Sequence, residues 1–290
     1  MKNIRLAIFL AIKDMLNNIG SLLFVSAVLG FLFANVLFAR FMLYGFETVI
    51  SELVPKVSGH VYVTPLRGES YLYETQRTLE KIKNKDLIKS LGPVLEMPCV
   101  LDYKGSRIVA VVWGVDFNEE VMELKNHITS GSYFSGPYAD EIILGKVLKK
   151  RLEEKIPKDE DIDLGDTLEA IFIKEHNIDK VNRKVYRDKY CKIVGVADLR
   201  DYIANNNLFM PIEALRTSVI LNERASTIFI RLKDSVRTDG IDLESFSPAD
   251  GKVEIKHWKD RDDYGTDDLV SGFNMISIIT FAVSIICAAI

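Results

Sequence analysis

The sequence predicts an α+β membrane protein in which two transmembrane helices flank an extracytoplasmic domain. Residues 19–39 form an uncharged, mostly apolar run, and residues 269–290 form a second one. Charged residues are concentrated between the two runs, where short β-rich segments alternate with helical ones. A water-soluble domain held between two membrane segments is the simplest arrangement of such a chain.

Residues 1–18 are predicted to form an interfacial elbow helix on the cytoplasmic side of the membrane. Their apolar side chains fall on one helical stripe, and lysine and asparagine fall on the other side. A simple extension of the spanning helix is the alternative.

Residues 19–54 are predicted to form the first transmembrane helix and a stalk. Ile19 to Ala39 is long enough, at 1.5 Å per residue, to cross a hydrocarbon core of about 30 Å. Its Leu, Ile, Val and Phe side chains favour insertion by roughly 4–7 kcal/mol. The run is longer than the apolar core of a signal peptide, so we expect an uncleaved anchor. Helical spacing continues from Phe41 to Leu53, and Pro55 is expected to end the helix.

The charges beside the two runs predict the orientation of the protein. Lys2, Arg5 and Lys13 precede the first run, whereas the second follows a cluster of aspartates at residues 260–268. The positive-inside bias therefore predicts a multi-pass protein of the cell membrane, with a cytoplasmic amino terminus and an extracytoplasmic central domain. Residues 261–290 are expected to form a stalk and the second transmembrane helix.

Residues 55–115 and 226–260 are predicted to form a ferredoxin-like (split βαβ) subdomain. Its expected elements are a strand at 60–66, a helix at 74–91 closed by Gly92-Pro93, a hairpin of 94–102 and 107–115, a strand at 226–232, a short helix at 236–246 and a strand at 253–258. The order β-α-β-β followed by β-α-β gives a split βαβ arrangement with one additional strand.

Residues 116–225 are predicted to form a β-rich subdomain inserted between these two parts. Its expected elements are a strand at 141–144, a helix at 146–155, strands at 167–173 and 191–196, a strand-like segment at 208–211 and a helix at 212–221. The almost entirely polar stretch from Lys174 to Lys189 is expected to be an exposed hairpin tip.

Composition and motifs argue against catalysis and against nucleic acid as a partner. The formal net charge of −4 supplies no basic field. His60, His127, His176 and His257 are far apart in the sequence, and no HExxH, CxxC or GxSxG motif occurs. Gly145-Lys146 lacks the remaining residues of a phosphate-binding loop. We therefore predict a non-enzymatic chain with no catalytic residue, no metal site and no cofactor.

Three cysteines are too few for a disulfide framework or a metal cluster. Cys287 lies in the second apolar run. Cys99 and Cys191 could pair if the domain is exported, and the sequence leaves this open.

Small residues recur at four-residue spacing in both apolar runs: Ser26, Gly30 and Ala34 in the first, and Thr280, Ser284 and Ala288 in the second. Such stripes let two membrane helices approach closely. Helix packing through these residues is our hypothesis, and coincidence is the alternative.

The chain resembles the front part of the ABC transporter permeases typified by MacB, FtsX and the LolC/LolE pair. The segments that carry the resemblance are RLAIFLAIKDMLNNIGSLLFVSAVLGFLFA (5–34), VSGHVYVTPL (57–66), RIVAVVWGVD (107–116), ITSGSYF (128–134), DEIILGKVLKKRL (140–152), LGDTLEAIF (164–172), CKIVGVAD (191–198) and VEIKHWKDRDD (253–263).

The resemblance implies a permease subunit that dimerises with an identical or related permease and works with cytoplasmic ABC ATPases. Motion of the membrane helices would be transmitted to the outer domain for efflux, lipoprotein release or regulation of an outer partner. The family normally has four spanning helices, with a cytoplasmic loop after the second that grips the ATPase, so we expect this chain to be the amino-terminal part of such a permease. An extracytoplasmic sensor is the alternative, but the elbow helix and the interrupted βαβ order favour the permease.

Overall fold

The structure is a computed structural model, and it describes residues 17–118, 121–157, 161–178, 181–236, 241–248 and 252–260, with Phe9, Lys13, Met275 and Ile278. The chain divides into two compact units, one comprising Met1–Ile50 with Gly265–Ile290 and the other Ser51–Tyr264. Most of the predicted elbow helix and nearly all of the predicted second transmembrane segment lie outside the described residues.

A single long helix, α1 (Ile19–Ser58), dominates the described part of the first unit and continues into the second. Among the described residues, its segment Leu23–Met42 is the one helical stretch long and apolar enough to cross a membrane. Large apolar side chains such as Phe24, Phe31 and Phe33 are exposed along it. An exposed helix that is apolar all round is typical of a segment that lies in lipid.

The second unit contains ten strands and four further α-helices among the described residues. The strands are β1 (Val61–Pro65), β2 (Ile88–Tyr103), β3 (Ser106–Val115), β4 (Ile128–Gly131), β5 (Glu141–Gly145), β6 (Thr167–Ile178), β7 (Val181–Ala197), β8 (Leu208–Pro211), β9 (Thr227–Leu232) and β10 (Val253–His257). The helices are α2 (Thr75–Lys81), α3 (Lys146–Glu153), α4 (Tyr202–Asn205) and α5 (Ile212–Val219). Short 3₁₀ helices lie at Leu124–His127, Leu243–Phe246 and Trp258–Asp260.

Six of these strands close into a barrel. Strand β2 pairs with β3 and with β6, β6 pairs with β7, β7 with β5, β5 with β8, and β8 with β3. The circuit is complete, so each of the six strands has a hydrogen-bonded neighbour on both sides over at least part of its length. Strand β4 pairs with the last three residues of β7, beyond the part of β7 that pairs with β6.

The barrel interior is filled with apolar side chains, as expected for a ring of so few strands. The inward residues, all buried, include Met97, Cys99, Leu101, Ala110, Val112, Ile142, Leu144, Leu168, Ala170, Phe172, Cys191, Ile193, Leu208 and Met210. Helices α3 and α5 add Leu148, Leu152, Leu215 and Val219 to the same cluster. The barrel is therefore a packed core and not a channel.

The remaining strands form an open antiparallel sheet in the order β10-β1-β9-β2. Strand β2 is shared, because Ile88–Val94 pairs with β9 and Cys99–Asp102 pairs with β6. One face of the open sheet packs against α2 through a cluster that includes Val61, Ile82 and Ile230.

Most of the predicted strands are confirmed. The hairpin of β2 and β3 turns at Lys104 (φ 50°) and Gly105 (φ 85°), a pair of left-handed residues that suits a two-residue hairpin turn. The backbone of the polar stretch Lys174–Lys189 continues the β6–β7 hairpin up to Ile178 and from Val181, and the residues between them lie outside the described part of the chain.

Three predictions are wrong. The helix predicted at 74–91 ends at Lys81, because Asn84 takes a left-handed turn (φ 52°) and the chain from Ile88 pairs with β9. Gly92-Pro93 accordingly lies within β2 and closes no helix. In the region predicted as a helix at 236–246, the described residues form only the 3₁₀ helix Leu243–Phe246.

The third error concerns Pro55, which was expected to end the first helix but lies inside α1. Proline in the last turn removes one hydrogen bond, and contacts with the domain hold the turn that follows.

Candidate functional site at the helix–sheet junction

The last turn of α1 is embedded in the second unit. Pro55, Val57 and Ser58 are buried, whereas Lys56 between them is exposed. This turn is the point at which the long helix joins the folded domain, and its surroundings determine whether the joint is stiff or loose.

Gly59 ends the helix and permits its close approach to the sheet. Its backbone N–H donates to the Pro55 carbonyl at 3.0 Å, and its φ is +84°, the left-handed conformation common after helix ends. A Cβ atom at this position would lie 2.7 Å from the Ile230 carbonyl oxygen. Only glycine therefore fits between helix and strand without displacing β9.

A buried side-chain hydrogen bond links the helix end to the first strand. The Tyr62 hydroxyl donates to Ser58 Oγ at 2.9 Å, and the two residues are 2% and 0% exposed. The connection between α1 and β1 is only Gly59 and His60, so the helix and the sheet are joined without a flexible linker.

His60 connects the start of β1 to β9 and to the residue that follows β10. Its backbone N–H donates to the Ile230 carbonyl at 2.8 Å, and its carbonyl accepts from the Trp258 N–H at 3.1 Å. Its Nδ1 accepts from the Leu232 N–H at 3.1 Å, which places the proton of the neutral ring on Nε2. Three segments distant in sequence thus meet at one residue.

The surroundings of His60 disfavour its charged form. Burial lowers the pKa of His60 to about 4, assisted by the nearby charge of Arg231 and by His257, while Asp234 opposes the shift. His60 is therefore a neutral hydrogen-bond acceptor at ordinary pH. Its Nδ1 lone pair stays available for the β9 backbone.

An ion pair holds the segment that follows β3 against β9. Arg231 is 9% exposed and donates through Nη1 to the Val121 carbonyl at 3.2 Å and to Glu123 Oε1 at 2.8 Å. A guanidinium buried to this extent needs both partners, because an unpaired buried charge is costly.

Aromatic rings continue from the junction toward the barrel. The Tyr62 and Phe229 centroids are 5.1 Å apart, those of Phe229 and Trp113 are 5.9 Å apart, and those of Trp113 and Phe209 are 5.9 Å apart. All three contacts are edge-to-face, the arrangement that aromatic rings favour. The chain of rings links β1, β9, β3 and β8 through direct contacts.

The described residues bring together no catalytic constellation. No group of three or more His, Cys, Asp or Glu side chains among them is placed to hold a metal ion. A groove of about 610 Å³ beside α2 mixes apolar and charged side chains, and no histidine, cysteine or serine lines it. The contacts of the junction are hydrogen bonds and packing, which position its backbone.

The predicted helix-packing residues are only partly described. Ser26, Gly30 and Ala34 are exposed on α1, and a Cβ at Gly30 would meet nothing within 4 Å. The residues expected opposite them lie outside the described part of the chain (Thr280, Ser284 and Ala288). Packing through these stripes stays a prediction.

Sequence reasoning missed the junction. His60 and His257 are 197 positions apart, yet β1 pairs with β10 so that Val61 lies opposite His257. A usable signal was present, because Gly59 directly after a helical run and before a β-rich run marks a helix end. The partners of Gly59 and His60 could not be predicted, since they come from β9 and the end of β10.

The fold and this junction define a class: an α+β domain continuous with a helix of membrane-spanning length. Within that class, the chain is similar in fold to the periplasmic region of MacB from Actinobacillus actinomycetemcomitans, with 13% sequence identity, a TM-score of 0.49 and coverage of 78% of this chain and 97% of that one. It is also similar to the extracellular domain of the ABC-type transporter YknZ from Gram-positive bacteria, with 14% identity, a TM-score of 0.41 and coverage of 61% and 83%.

A third similar structure is a domain assigned to a permease protein of Porphyromonas gingivalis, with 14% identity, a TM-score of 0.34 and coverage of 68% and 84%. No family model and no curated protein sequence matches the chain.

Proposed function

We propose that the chain is a permease subunit, or the amino-terminal part of one, of an ABC transporter of the mechanotransmission type. ATP would be hydrolysed by a separate cytoplasmic subunit. The proposed task of this chain is to convert motion of its membrane helices into motion of the extracytoplasmic domain. That motion would serve efflux, lipoprotein release or regulation of an outer partner.

One observation carries the proposal: α1 runs from a membrane-length apolar segment into the sheet with no flexible linker. After Met42 the helix continues for 16 residues to Ser58, about 24 Å of helix. Its end is fixed by Gly59, by the Ser58–Tyr62 hydrogen bond and by the backbone partners of His60. A stiff rod fixed in a packed core transmits displacement, whereas a flexible linker would absorb it.

The strand pairings support the proposed domain organisation. The order β10-β1-β9-β2, antiparallel throughout, supports a ferredoxin-like subdomain in residues 55–115 and 226–260. Residues 116–225 would then be the inserted β-rich subdomain, which completes the barrel together with β2 and β3. In this proposal β2 passes through both parts and makes them move together.

The proposed topology has a cytoplasmic amino terminus, a second membrane helix in residues 269–290 and the central domain outside. The proposed partners are a cytoplasmic ABC ATPase, a second permease copy or paralogue, and membrane lipid. Packing of the first and second helices through Ser26, Gly30 and Ala34 belongs to the same proposal.

Purification from native membranes tests the permease role. The product of the native locus, tagged and solubilised in a mild detergent, should retain a small ATPase. Failure to recover any ATPase from intact membranes contradicts the proposal, and recovery of a signalling kinase instead supports a sensor. Protease added to whole cells should cut the central domain, and an untouched domain would contradict the proposed topology.

A flexible insertion tests the stiff junction itself. An insertion of four residues, Gly-Ser-Gly-Ser, between Ser58 and Gly59 should leave the ATPase bound. It should abolish the ATP-dependent motion of the extracytoplasmic domain. The matched control is the same insertion after Gly68, in an exposed loop with open space around it. Equal outcomes from the two insertions would contradict mechanical coupling through α1.

A further inference from the structure

The outer face of the barrel carries an apolar patch that the alternation of its strands does not explain. On β2 and β3, inward residues such as Cys99, Leu101 and Ala110 are buried in the barrel. The outward residues between them are apolar as well: Pro98, Val100, Val109 and Val111. Antiparallel strands with one face in water normally place polar residues outward, and strands that are apolar on both faces are normally covered on both.

The patch is a continuous surface across three strands. Val109 lies opposite Val100, and Val100 lies opposite Ile171 of β6, so the three side chains form one row about 10 Å wide. Val109 is 66% exposed, and Val100, Val111 and Ile171 are half-buried. Exposed apolar side chains contiguous across a sheet mark an interaction surface more often than a solvated one.

The next row toward the hairpin turn is charged, with opposite signs at its two ends. Arg107 lies opposite Asp102, and Asp102 lies opposite Glu169. Arg107 Nε donates to Asp102 Oδ2 at 2.7 Å, and the Asp102 carboxylate also accepts the Gly105 N–H at 2.9 Å. Asp102 therefore has its partners within the chain. Glu169, at the β6 end of the row, acts on Arg107 through its charge but forms no close ion pair with any described residue.

We propose that this patch pairs with the same patch of a second copy of the chain, sheet against sheet. Two sheets pack face to face about 10 Å apart with their strands nearly aligned. With a two-fold axis along β2, strand β2 of one copy faces β2 of the other, and β3 faces β6. Val109 then lies over Ile171 of the second copy, and Val100 lies beside its own equivalent.

Charge complementarity selects a second copy as the occupant. The same two-fold axis places Arg107 of each copy opposite Glu169 of the other, and both pairs form at once because the interface is isologous. The two Asp102 carboxylates meet near the axis, each already neutralised by its own Arg107. The inference specifies the surface of the dimer included in the proposed function, and in this sense it rests on that proposal.

Crosslinking in native membranes tests the pairing. In the full chain carrying Cys287→Ser, Val100→Cys lies at the two-fold axis and should give a covalent dimer with a short bis-maleimide. Cys99 and Cys191 are buried and should not contribute. The matched control is Tyr138→Cys, an exposed site (68%) outside the three strands, which should stay monomeric.

A charge exchange then shows whether the contact is between copies. Arg107→Glu or Glu169→Arg, each in the Val100→Cys chain, should reduce dimer crosslinking several-fold, since each places like charges opposite each other twice. Co-expression of the two variants with tags of different size should restore crosslinking between unlike chains only. An effect within a single chain would not be rescued by mixing.

Three outcomes would overturn the inference: no more crosslinking at Val100→Cys than at Tyr138→Cys, crosslinking to a different polypeptide, or no rescue by mixing. ATPase recovery is measured on the same membranes. Recovery of the ATPase without the Val100→Cys crosslink contradicts this surface and supports the proposed function. The crosslink without recovery of an ATPase supports this surface and contradicts the proposed function.

Discussion

The junction and the barrel are built on different principles, although the open sheet beside the junction shares β2 with the barrel. At the junction, backbone conformation determines the structure: Gly59 has φ +84°, and His60 makes two backbone hydrogen bonds and accepts a third through Nδ1. In the barrel, volume determines it, because a closed ring of strands surrounds apolar side chains that are almost completely buried.

This difference predicts which substitutions each region tolerates. A packed apolar interior accepts exchanges that conserve volume and is harmed by large-to-small changes. A joint set by backbone geometry is harmed by changes of one or two atoms that leave the volume almost unchanged. Substitutions of each kind in each region therefore test this difference.

The largest effect is expected in the barrel. Phe172 is fully buried on β6, so Phe172→Ala should lower the free energy of unfolding by about 3–5 kcal/mol through lost burial and the cavity left behind. Phe172→Leu should cost less than about 1.5 kcal/mol. Urea titration followed by the fluorescence of Trp113 and Trp258 measures both. Equal costs would show that ring shape, and not volume, specifies the barrel.

The next largest effect is expected from one methyl group at the junction. Gly59→Ala must hold a left-handed conformation and displace the Ile230 carbonyl, and we expect a loss of about 2–3 kcal/mol. Gly68→Ala is the matched control, since Gly68 has φ +98° with nothing within 4 Å, and only the conformational cost of about 1–2 kcal/mol should remain. A loss at Gly59 no larger than at Gly68 would mean that the helix end is not wedged against β9.

A smaller loss is expected from the buried hydrogen bond at the helix end. Tyr62→Phe removes one oxygen atom and the buried hydrogen bond to Ser58 Oγ, which should cost about 1–2 kcal/mol. The double variant Ser58→Ala with Tyr62→Phe should be less destabilised than the sum of the two single variants, as the same unfolding measurement can show. Strict additivity would indicate that the two side chains do not act as a pair.

The same contrast explains how much of the molecule the sequence could predict. The strands of the barrel could be predicted from β-rich segments such as residues 107–115 and 191–196, because buried strands are locally enriched in apolar, β-forming residues. The helix predicted at 74–91 was wrong in its second half because the spacing of Leu87 and Leu91 suits a helix as well as a strand. Pairing with β9 makes this segment a strand.

Closure of the barrel was beyond the sequence, since the parallel pairings of β3 with β8 and of β5 with β7 join segments far apart in the chain. The junction was missed for the same reason. Gly59 and His60 are visible as residues, but the atoms that give them their roles belong to Ile230, Leu232 and Trp258.

Acid should weaken the junction through His60. The folded state holds the pKa of His60 at about 4, below the usual 6.5, so between these values the unfolded chain binds more protons than the folded one. The contribution of His60 to stability is therefore complete above pH 6.5 and is lost as the pH falls toward 4. His60→Gln, whose side-chain oxygen can still accept the Leu232 N–H, should lack this part of the decline. Identical pH profiles for the two chains would show that His60 does not titrate on unfolding.

The smallest effect is expected for chemical labelling of the two buried cysteines of the barrel, Cys99 and Cys191. Burial raises the pKa of both cysteines, that of Cys191 to about 12, and the thiolate is the form that reacts. In the Cys287→Ser chain, a water-soluble disulfide reagent at pH 8 should therefore label neither Cys99 nor Cys191 until denaturant is added, and then both. Because the two residues lie on β2 and β7, on either side of β6, labelling before unfolding would mean that the ring opens along β6. Backbone hydrogen bonds along β6, and not the packed interior, would then hold the barrel closed. The barrel would in that case depend on backbone contacts as the junction does.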